Sequence, residues 1–240
     1  MTRKNGYKAV VFDLDGTLRH SVPNPSDIST AKVRELGFDV SDEKARETAR
    51  WEHYYWASSE ELRGDIERFD KNDSAFWQNY TERRLQALGA TAKEISKLAR
   101  PLRNHMRKKY RSEDFVPPEL HEILPALREA DYRLGVLSNR SDPFDKDMRR
   151  LDLAKYFDYV KAAGEVGSWK PNPAVFDPML KHFEIAPEES LYIGDNYYAD
   201  VLGARAAGMQ PILYDPRELF PDPDCMRITS FHELMDILQS

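Results

Sequence analysis

Short apolar runs alternate with amphipathic stretches over two parts of the chain, 1–20 and roughly 116–240. The runs lie at 8–13 (KAVVFD), 132–138 (YRLGVLS), 157–162 (FDYVKA), 191–194 (LYIG) and 210–214 (QPILY), and are rich in Val, Ile, Leu, Phe or Tyr. Such runs suit strands buried on both faces of a parallel sheet. Between them, 118–130, 142–153, 173–183 and 198–207 read as helices, with Pro173 and Gly208 where a helix start and stop favour them. Strand and helix in alternation predict an α/β fold with a doubly wound parallel sheet.

The middle, 21–115, shows no strand pattern and reads as helical. Ser41 followed by Asp42 and Glu43 marks a helix start, because acids favour the first turn. Thr91 with Glu94 makes a capping box. Leu98, Leu102, Met106 and Tyr110 recur every four residues as one apolar stripe, which Pro101 is expected to kink or break. The expectation is a discontinuous core domain (1–20 and 116–240) interrupted after its first strand by an all-helical insert (21–115).

Composition narrows the class. The 240 residues carry 35 basic and 41 acidic side chains, a net charge of −6, which argues against a uniformly basic nucleic-acid binder. A single cysteine, Cys225, leaves no intrachain disulfide to form and fits a reducing, cytoplasmic compartment. No apolar run is long enough to span a membrane. The opening MTRKNGYKAVVFDLDG turns acidic after one short apolar run and does not read as a secretory leader. The stretch 83–111 holds ten basic residues against one acid, Glu94. It reads as a solvated helix face, as a field that draws in anionic substrates, or as a docking patch for nucleic acid or an acidic partner. Trp51, Tyr54, Tyr55 and Trp56, and then Phe76, Trp77 and Tyr80, read foremost as the insert's own core and alternatively as a stacking surface for a sugar or base. The histidines at 53, 105, 121, 182 and 232 do not cluster in sequence, so a histidine metal site has no support.

The chemistry concentrates at predicted strand ends. The first strand runs into Asp13-Leu14-Asp15-Gly16-Thr17. In an open parallel sheet the carboxyl ends of strands line the binding crevice, where two adjacent acids are costly unless a cation or protons relieve them. Mg²⁺ prefers oxygen ligands and answers this. One carboxylate can then attack phosphorus while the other transfers a proton. Gly16 allows close backbone approach, and the Thr17 hydroxyl is a candidate phosphate ligand. Asp-x-Asp-Gly is also a fragment of a calcium loop, but the spaced glutamate is missing and position 17 is Thr. Three further elements accompany it. Ser138 and Asn139 end the second strand, Lys170 stands before a predicted helix, and Asp195 and Asp200 follow another strand as candidate metal ligands, Asp200 alternatively as a supporting group.

The set DLDGT (13–17), LSN (137–139), KPNPAVF (170–176) and GDNYYAD (194–200) resembles the four motifs of the haloacid dehalogenase (HAD) superfamily of hydrolases, in the subgroup with a helical cap inserted after the first motif. The resemblance covers the core and implies a Rossmann-like sheet with a cap that closes over the crevice. It implies Asp13 as a nucleophile forming an aspartyl-phosphate, and Asp15 as the acid that protonates the leaving oxygen and then activates water. Ser138 and Lys170 would bind the phosphoryl group, and Thr17 and Asn139 are the further candidates for phosphate contact that the residues themselves offer. Mg²⁺ would be held by Asp13, the Asp15 backbone carbonyl and Asp195, with Asp200 supporting. The dehalogenases and the phosphonate-cleaving branch lack an acid at the position of Asp15, so its presence favours phosphoryl transfer. Leu18-Arg19-His20-Ser21 departs from the pattern, since many relatives carry an acid at the position of His20; here the crevice entrance is more basic. The expected activity is a Mg²⁺-dependent phosphatase for a small phosphorylated metabolite, with no membrane partner. A phosphomutase with the same motifs, or a binding or regulatory protein with a basic cap surface, are the alternatives. Oligomeric state and substrate identity are not legible.

Overall fold

In a computed structural model of the protein, described for residues 6–69 and 74–239, the chain divides into two units, Met1–His20 with Asp114–Ser240, and Ser21–Glu113. Residues 1–5, which open the stretch read above as no secretory leader, and 70–73, within the helical insert, lie outside the described residues.

The elements run in chain order as β1 (Ala9–Phe12), β2 (His20–Val22), α1 (Pro25–Glu35), α2 (Asp42–Trp56), α3 (Glu60–Arg68), α4 (Ser74–Ala87), α5 (Ala92–Lys108) and β3 (Glu113–Phe115). They continue with α6 (Leu120–Glu129), β4 (Arg133–Ser138), α7 (Asp145–Arg150), β5 (Tyr159–Ala162), α8 (Ala163–Val166), α9 (Asp177–Phe183), β6 (Ser190–Gly194), α10 (Leu202–Ala206), β7 (Gln210–Tyr214), β8 (Met226–Ile228) and α11 (His232–Gln239). Six strands form one sheet in the order β5-β4-β1-β6-β7-β8, and every pair is parallel. This is the expected doubly wound α/β sheet. The order reverses at β1, between β4 and β6, and that switch point fixes where a crevice opens. Phe12 stands level with Val136 of β4 and Ile193 of β6, so Asp13, Ser138 and Asp195 leave the sheet at the same end.

Strand alternation decides which residues meet which helices. Val10 and Phe12 join Leu134, Val136, Leu191, Ile193 and Ile212 on one face, against Leu120, Ile123, Leu124 and Leu127 of α6 and Leu234 and Leu238 of α11. Ala9, Val11 and Tyr192 point to the opposite face, against Phe176 and against Met179, Leu180 and Phe183 of α9. The spacing of the α6 residues, three and four apart, is that of a helix burying one stripe.

Several elements differ from their sequence expectation. The strand β8 is three residues long and carries no recognisable apolar run. The segment read as strand-free contributes to two short strands, β2 and β3, which pair with each other where the chain passes between the units. Pro143 pushes Asp142 out of helical conformation, and α7 begins only at Asp145. The helix expected at 173–183 splits into a 3₁₀ turn, Pro173–Val175, and α9, with Pro178 in the first turn where its missing N–H is harmless. The one expected at 198–207 begins as a π turn, Tyr197–Val201, before α10. Pro101 does not break its helix, because α5 runs unbroken from Ala92 to Lys108 with Leu98, Ala99 and Leu102 buried on either side of the proline. Apolar packing there outweighs the one backbone hydrogen bond that proline removes.

The helical unit has its own core. Val33, Val40, Leu85, Leu88, Leu98 and Leu102 form one cluster. Tyr55, Leu62 and Phe76 form a second, flanked by Trp51, Trp56 and Tyr80, so most of the aromatic residues pack as core; Tyr54 and Trp77 remain exposed. The Thr91 and Glu94 capping box and the Ser41 cap both form. Two members of the basic stretch are structural. Arg83 pairs with Asp65, and Arg84, buried, bonds Glu52 at 2.8 Å, the Ser26 carbonyl at 2.9 Å and the Thr30 hydroxyl at 2.8 Å. Removing one partner of a buried pair leaves the other charge uncompensated. Arg84→Ala is therefore expected to destabilise the protein by about 3 kcal/mol or more, read as a lowered midpoint in thermal unfolding followed by far-UV circular dichroism. A change near zero would mean that Glu52 finds water instead.

Candidate active site

Lys170 is the hub of the site. Its side chain is 1% exposed, and its ammonium donates to three acceptors, Asp13 Oδ1 at 2.6 Å, Asp200 Oδ1 at 2.6 Å and the Tyr192 hydroxyl at 2.8 Å. Three donors meet three acceptors, the full capacity of an ammonium. Burial alone would pull this lysine down, but the charges of Asp13 and Asp200 outweigh it and hold the ammonium well above its ordinary value. The Tyr192 hydroxyl passes its own proton to the Leu137 carbonyl at 2.8 Å.

Two backbone clamps fix Lys170. Asn139, just beyond β4, accepts from the Lys170 N–H at 2.8 Å and donates to the Lys170 carbonyl at 2.9 Å. The structure thus commits the Asn139 amide to the lysine's peptide, whereas the sequence pointed to phosphate. Ser138, buried at the end of β4, lies in the same turn.

The acids gather from two strand ends. Oxygens of Asp13, Asp195 and Asp200 lie within 4.8 Å of one another. Asp200 is placed by the π turn after β6, where Asn196 caps the N–H groups of Tyr198 and Ala199 and gives its own N–H to Asp200 Oδ2 at 2.9 Å. The Thr17 hydroxyl accepts from the Asp195 N–H at 3.0 Å and donates to Asp195 Oδ1 at 3.3 Å. Thr17 was expected on a phosphate; here it ties the first motif to the last. Two glycines make this crowding possible. Gly16 has φ +96°, and a Cβ there would stand 2.3 Å from Asp195 Oδ2; a Cβ on Gly194 would stand 2.2 Å from Asp200 Oδ2. Neither position tolerates a side chain.

Electrostatics mark the cluster as charge-strained. Burial pushes Asp13 up to about 7, against the pull of Lys170 and with a further push from Asp200. Burial and then the neighbouring Asp13 and Asp200 push Asp195 well above the usual carboxylate range. Three carboxylates face one ammonium, and full ionisation leaves two negative charges uncompensated. That donor set, all hard oxygens with a charge deficit of two, fits a divalent cation such as Mg²⁺.

Asp15 stands apart. Its carboxylate is not among these three, and it bonds two guanidiniums instead: Arg140 Nε and Nη2 at 2.7 and 2.8 Å, and Arg19 Nη1 at 2.9 Å. The Asp15 side chain is thus engaged by arginines, and it was the Asp15 backbone carbonyl, not this side chain, that the family resemblance implied as a metal ligand. Sequence reading missed Tyr192, hidden in an apolar strand, and Arg140, which follows the Ser-Asn pair without belonging to it.

A family model described as haloacid dehalogenase-like hydrolase matches residues 7–208. The chain belongs to this family of hydrolases. A phosphoserine phosphatase of Thermus thermophilus is 31% identical over 242 residues, covering 90% of this chain and 92% of that one. A ribulose-1,5-bisphosphate 5-phosphatase of Halopiger xanaduensis is 28% identical, covering 88% and 85%. Among solved structures, a 2-haloacid dehalogenase from Pseudomonas syringae shares the fold with a TM-score of 0.55 at 24% identity, covering 97% of this chain and 98% of that one. Among the described residues, no helix is long and apolar enough to cross a membrane.

Tyr192→Phe isolates the hydroxyl that completes the lysine's coordination. The ring stays packed, while Lys170 loses an acceptor and the Leu137 carbonyl a donor. A destabilisation of about 1–3 kcal/mol is expected in urea unfolding, at an unchanged dependence on denaturant. An unaltered midpoint would contradict the role given to this hydroxyl.

Proposed function

We propose that this hydrolase is a Mg²⁺-dependent phosphatase acting on a small phosphorylated metabolite through an aspartyl-phosphate on Asp13. The observation that carries the reading is the pairing of Asp13 with the buried Lys170 ammonium beside two more carboxylates at the switch point of the sheet. Relatives named as phosphatases support the reaction class. In this reading the helical unit Ser21–Glu113 is the family's cap.

Asp13, the Asp15 carbonyl and Asp195 would hold Mg²⁺, with Asp200 supporting. When bound, the ion offsets the surplus negative charge and lets an anionic phosphoryl group approach an anionic nucleophile. An Asp13 carboxylate oxygen attacks phosphorus, and the bond from phosphorus to the leaving oxygen breaks. Asp15 in its acid form gives its proton to that oxygen, so the product leaves as an alcohol. In the second half Asp15, now a carboxylate, takes a proton from water, which attacks the phosphorus of the aspartyl-phosphate and releases phosphate. Both acids return to their starting forms. Lys170 keeps the Asp13 oxygen aimed and draws the phosphoryl group by its positive charge, while the Ser138 hydroxyl holds a phosphoryl oxygen. Asn139 and Thr17 act one step back, by fixing Lys170 and Asp195.

Phosphate release from a panel of phosphorylated metabolites with Mg²⁺ tests the reading. The wild type is expected to release phosphate and Asp13→Asn to lose at least about 10³-fold in rate, because the amide cannot supply the carboxylate oxygen to which the covalent bond is assigned. Acid-quenched wild type, given labelled substrate, should carry label on Asp13. Release that survives in Asp13→Asn would contradict the covalent route. Transfer of label to a second sugar phosphate without free phosphate would mark a mutase.

A further inference from the structure

Three arginines and three aspartates close a ring around the proposed proton donor. Going round, Asp15 bonds Arg140 at 2.7 and 2.8 Å, and Arg140 Nη1 bonds Asp147 at 2.6 Å. Asp147 bonds Arg150 at 2.9 Å, and Arg150 also bonds Asp114. Asp114 bonds Arg19 Nε at 2.5 Å, and Arg19 Nη1 returns to Asp15 at 2.9 Å. Positive and negative groups alternate, and the ring is neutral. Its members come from the first motif, from β3, from the turn after β4 and from α7, all within one unit.

Catalysis as proposed above requires Asp15 to leave this ring, because a carboxyl that protonates a leaving oxygen cannot stay bidentate on Arg140. Its departure removes one negative charge. The ring then holds three guanidiniums and two carboxylates, a net charge of +1. Each of the two guanidiniums it leaves has a second carboxylate to hold it. Arg140 remains on Asp147 with its carbon 5.6 Å from the centre of the Phe144 ring, and Arg19 remains on Asp114. Two fixed guanidiniums that formerly shared one carboxylate are then a cradle for another anion of similar size.

Resting on the phosphatase reading, we infer that Arg140 and Arg19 determine specificity. They receive a second anionic group, a carboxylate or a further phosphate, carried by the substrate on its leaving-group side. The incoming anion takes the place of the Asp15 carboxylate, so the same binding event that seats the correct substrate frees Asp15, which takes up a proton from solvent, gives it to the leaving oxygen and, after the water step restores it, releases it again on returning to the arginines. A substrate with a neutral leaving group leaves Asp15 bound to the arginines and reacts slowly. Binding energy remote from the phosphorus is thereby converted into rate.

The test compares matched pairs with the whole chain and Mg²⁺: 2-phosphoglycolate against 2-hydroxyethyl phosphate, and 1,3-propanediol bisphosphate against 3-hydroxypropyl phosphate. The anionic member of at least one pair should show a kcat/KM about tenfold or more above its neutral partner, and the responding pair identifies the anion as carboxylate or phosphate. Arg140→Gln and Arg19→Gln should draw that ratio towards one, mainly by raising KM for the anionic member, and Arg140→Lys should restore part of it. Equal rates within both pairs, or a preference unmoved by either glutamine variant, would overturn the inference. The wild-type ratio decides even if a variant fails to fold. The two readings fail separately. Hydrolysis of p-nitrophenyl phosphate without preference in either pair removes the anion cradle alone, whereas no phosphate from any of the five compounds removes the phosphatase reading and the cradle with it.

Discussion

The arrangement depends on one buried contact, the Lys170 ammonium between Asp13 and Asp200. An unpaired ammonium at this depth would not stay charged, and three carboxylates without it would not ionise together. The contact joins the end of β1, the loop holding Lys170 and the turn after β6, so the sheet order, the strand registers and the glycines at 16 and 194 all serve to bring those three pieces within hydrogen-bond reach. Even so, the pairing is incomplete. One ammonium against three carboxylates leaves a deficit that the polypeptide does not fill, and Asp13, pushed up to about 7 first by burial and then by the Asp200 charge, sits within it.

A second electrostatic system lies beside the first and differs in kind. The ring of Asp15, Arg140, Asp147, Arg150, Asp114 and Arg19 is balanced within itself and more open to solvent. The buried cluster stores a charge deficit and the ring stores none. The two acids of the first motif, separated by one residue, thus face different counter-charges, the Lys170 ammonium for Asp13 and two guanidiniums for Asp15.

Much of this was legible in the sequence because the core strands are apolar on both faces. β1, β4, β5, β6 and β7 stand out as continuous runs, and β7 occupies the same residues that its pattern marked. The acids and the lysine were legible because they follow those runs, where a parallel sheet places its crevice. β8 was not, since three residues with one buried position carry too little pattern. Tyr192 reads as one more apolar strand residue, and only the fold shows its hydroxyl beneath Lys170. Thr17 and Asn139 were recognised as part of the site, but sequence gives residue type and not direction, and their polar atoms turn to the protein's own backbone and to Asp195. The arginine ring was invisible because its members are scattered from position 15 to position 150, and ion pairs at such separations leave no periodic trace.

In the proposed reading, the uncompensated charge at Asp13, Asp195 and Asp200 is the place for a divalent ion. The most direct test is the shift in thermal midpoint caused by Mg²⁺ after treatment with a chelator, measured across pH. Asp13 is raised in the folded protein, so the ion-free fold binds the extra proton and loses stability as pH climbs from about 4 towards about 7. Protons compete with the ion below about 7 and not above it. The account predicts little stabilisation by Mg²⁺ near pH 5, growing to its full value above pH 7, and abolished by Asp195→Asn. A shift that is absent at every pH, or equal at pH 5 and pH 8, would contradict it.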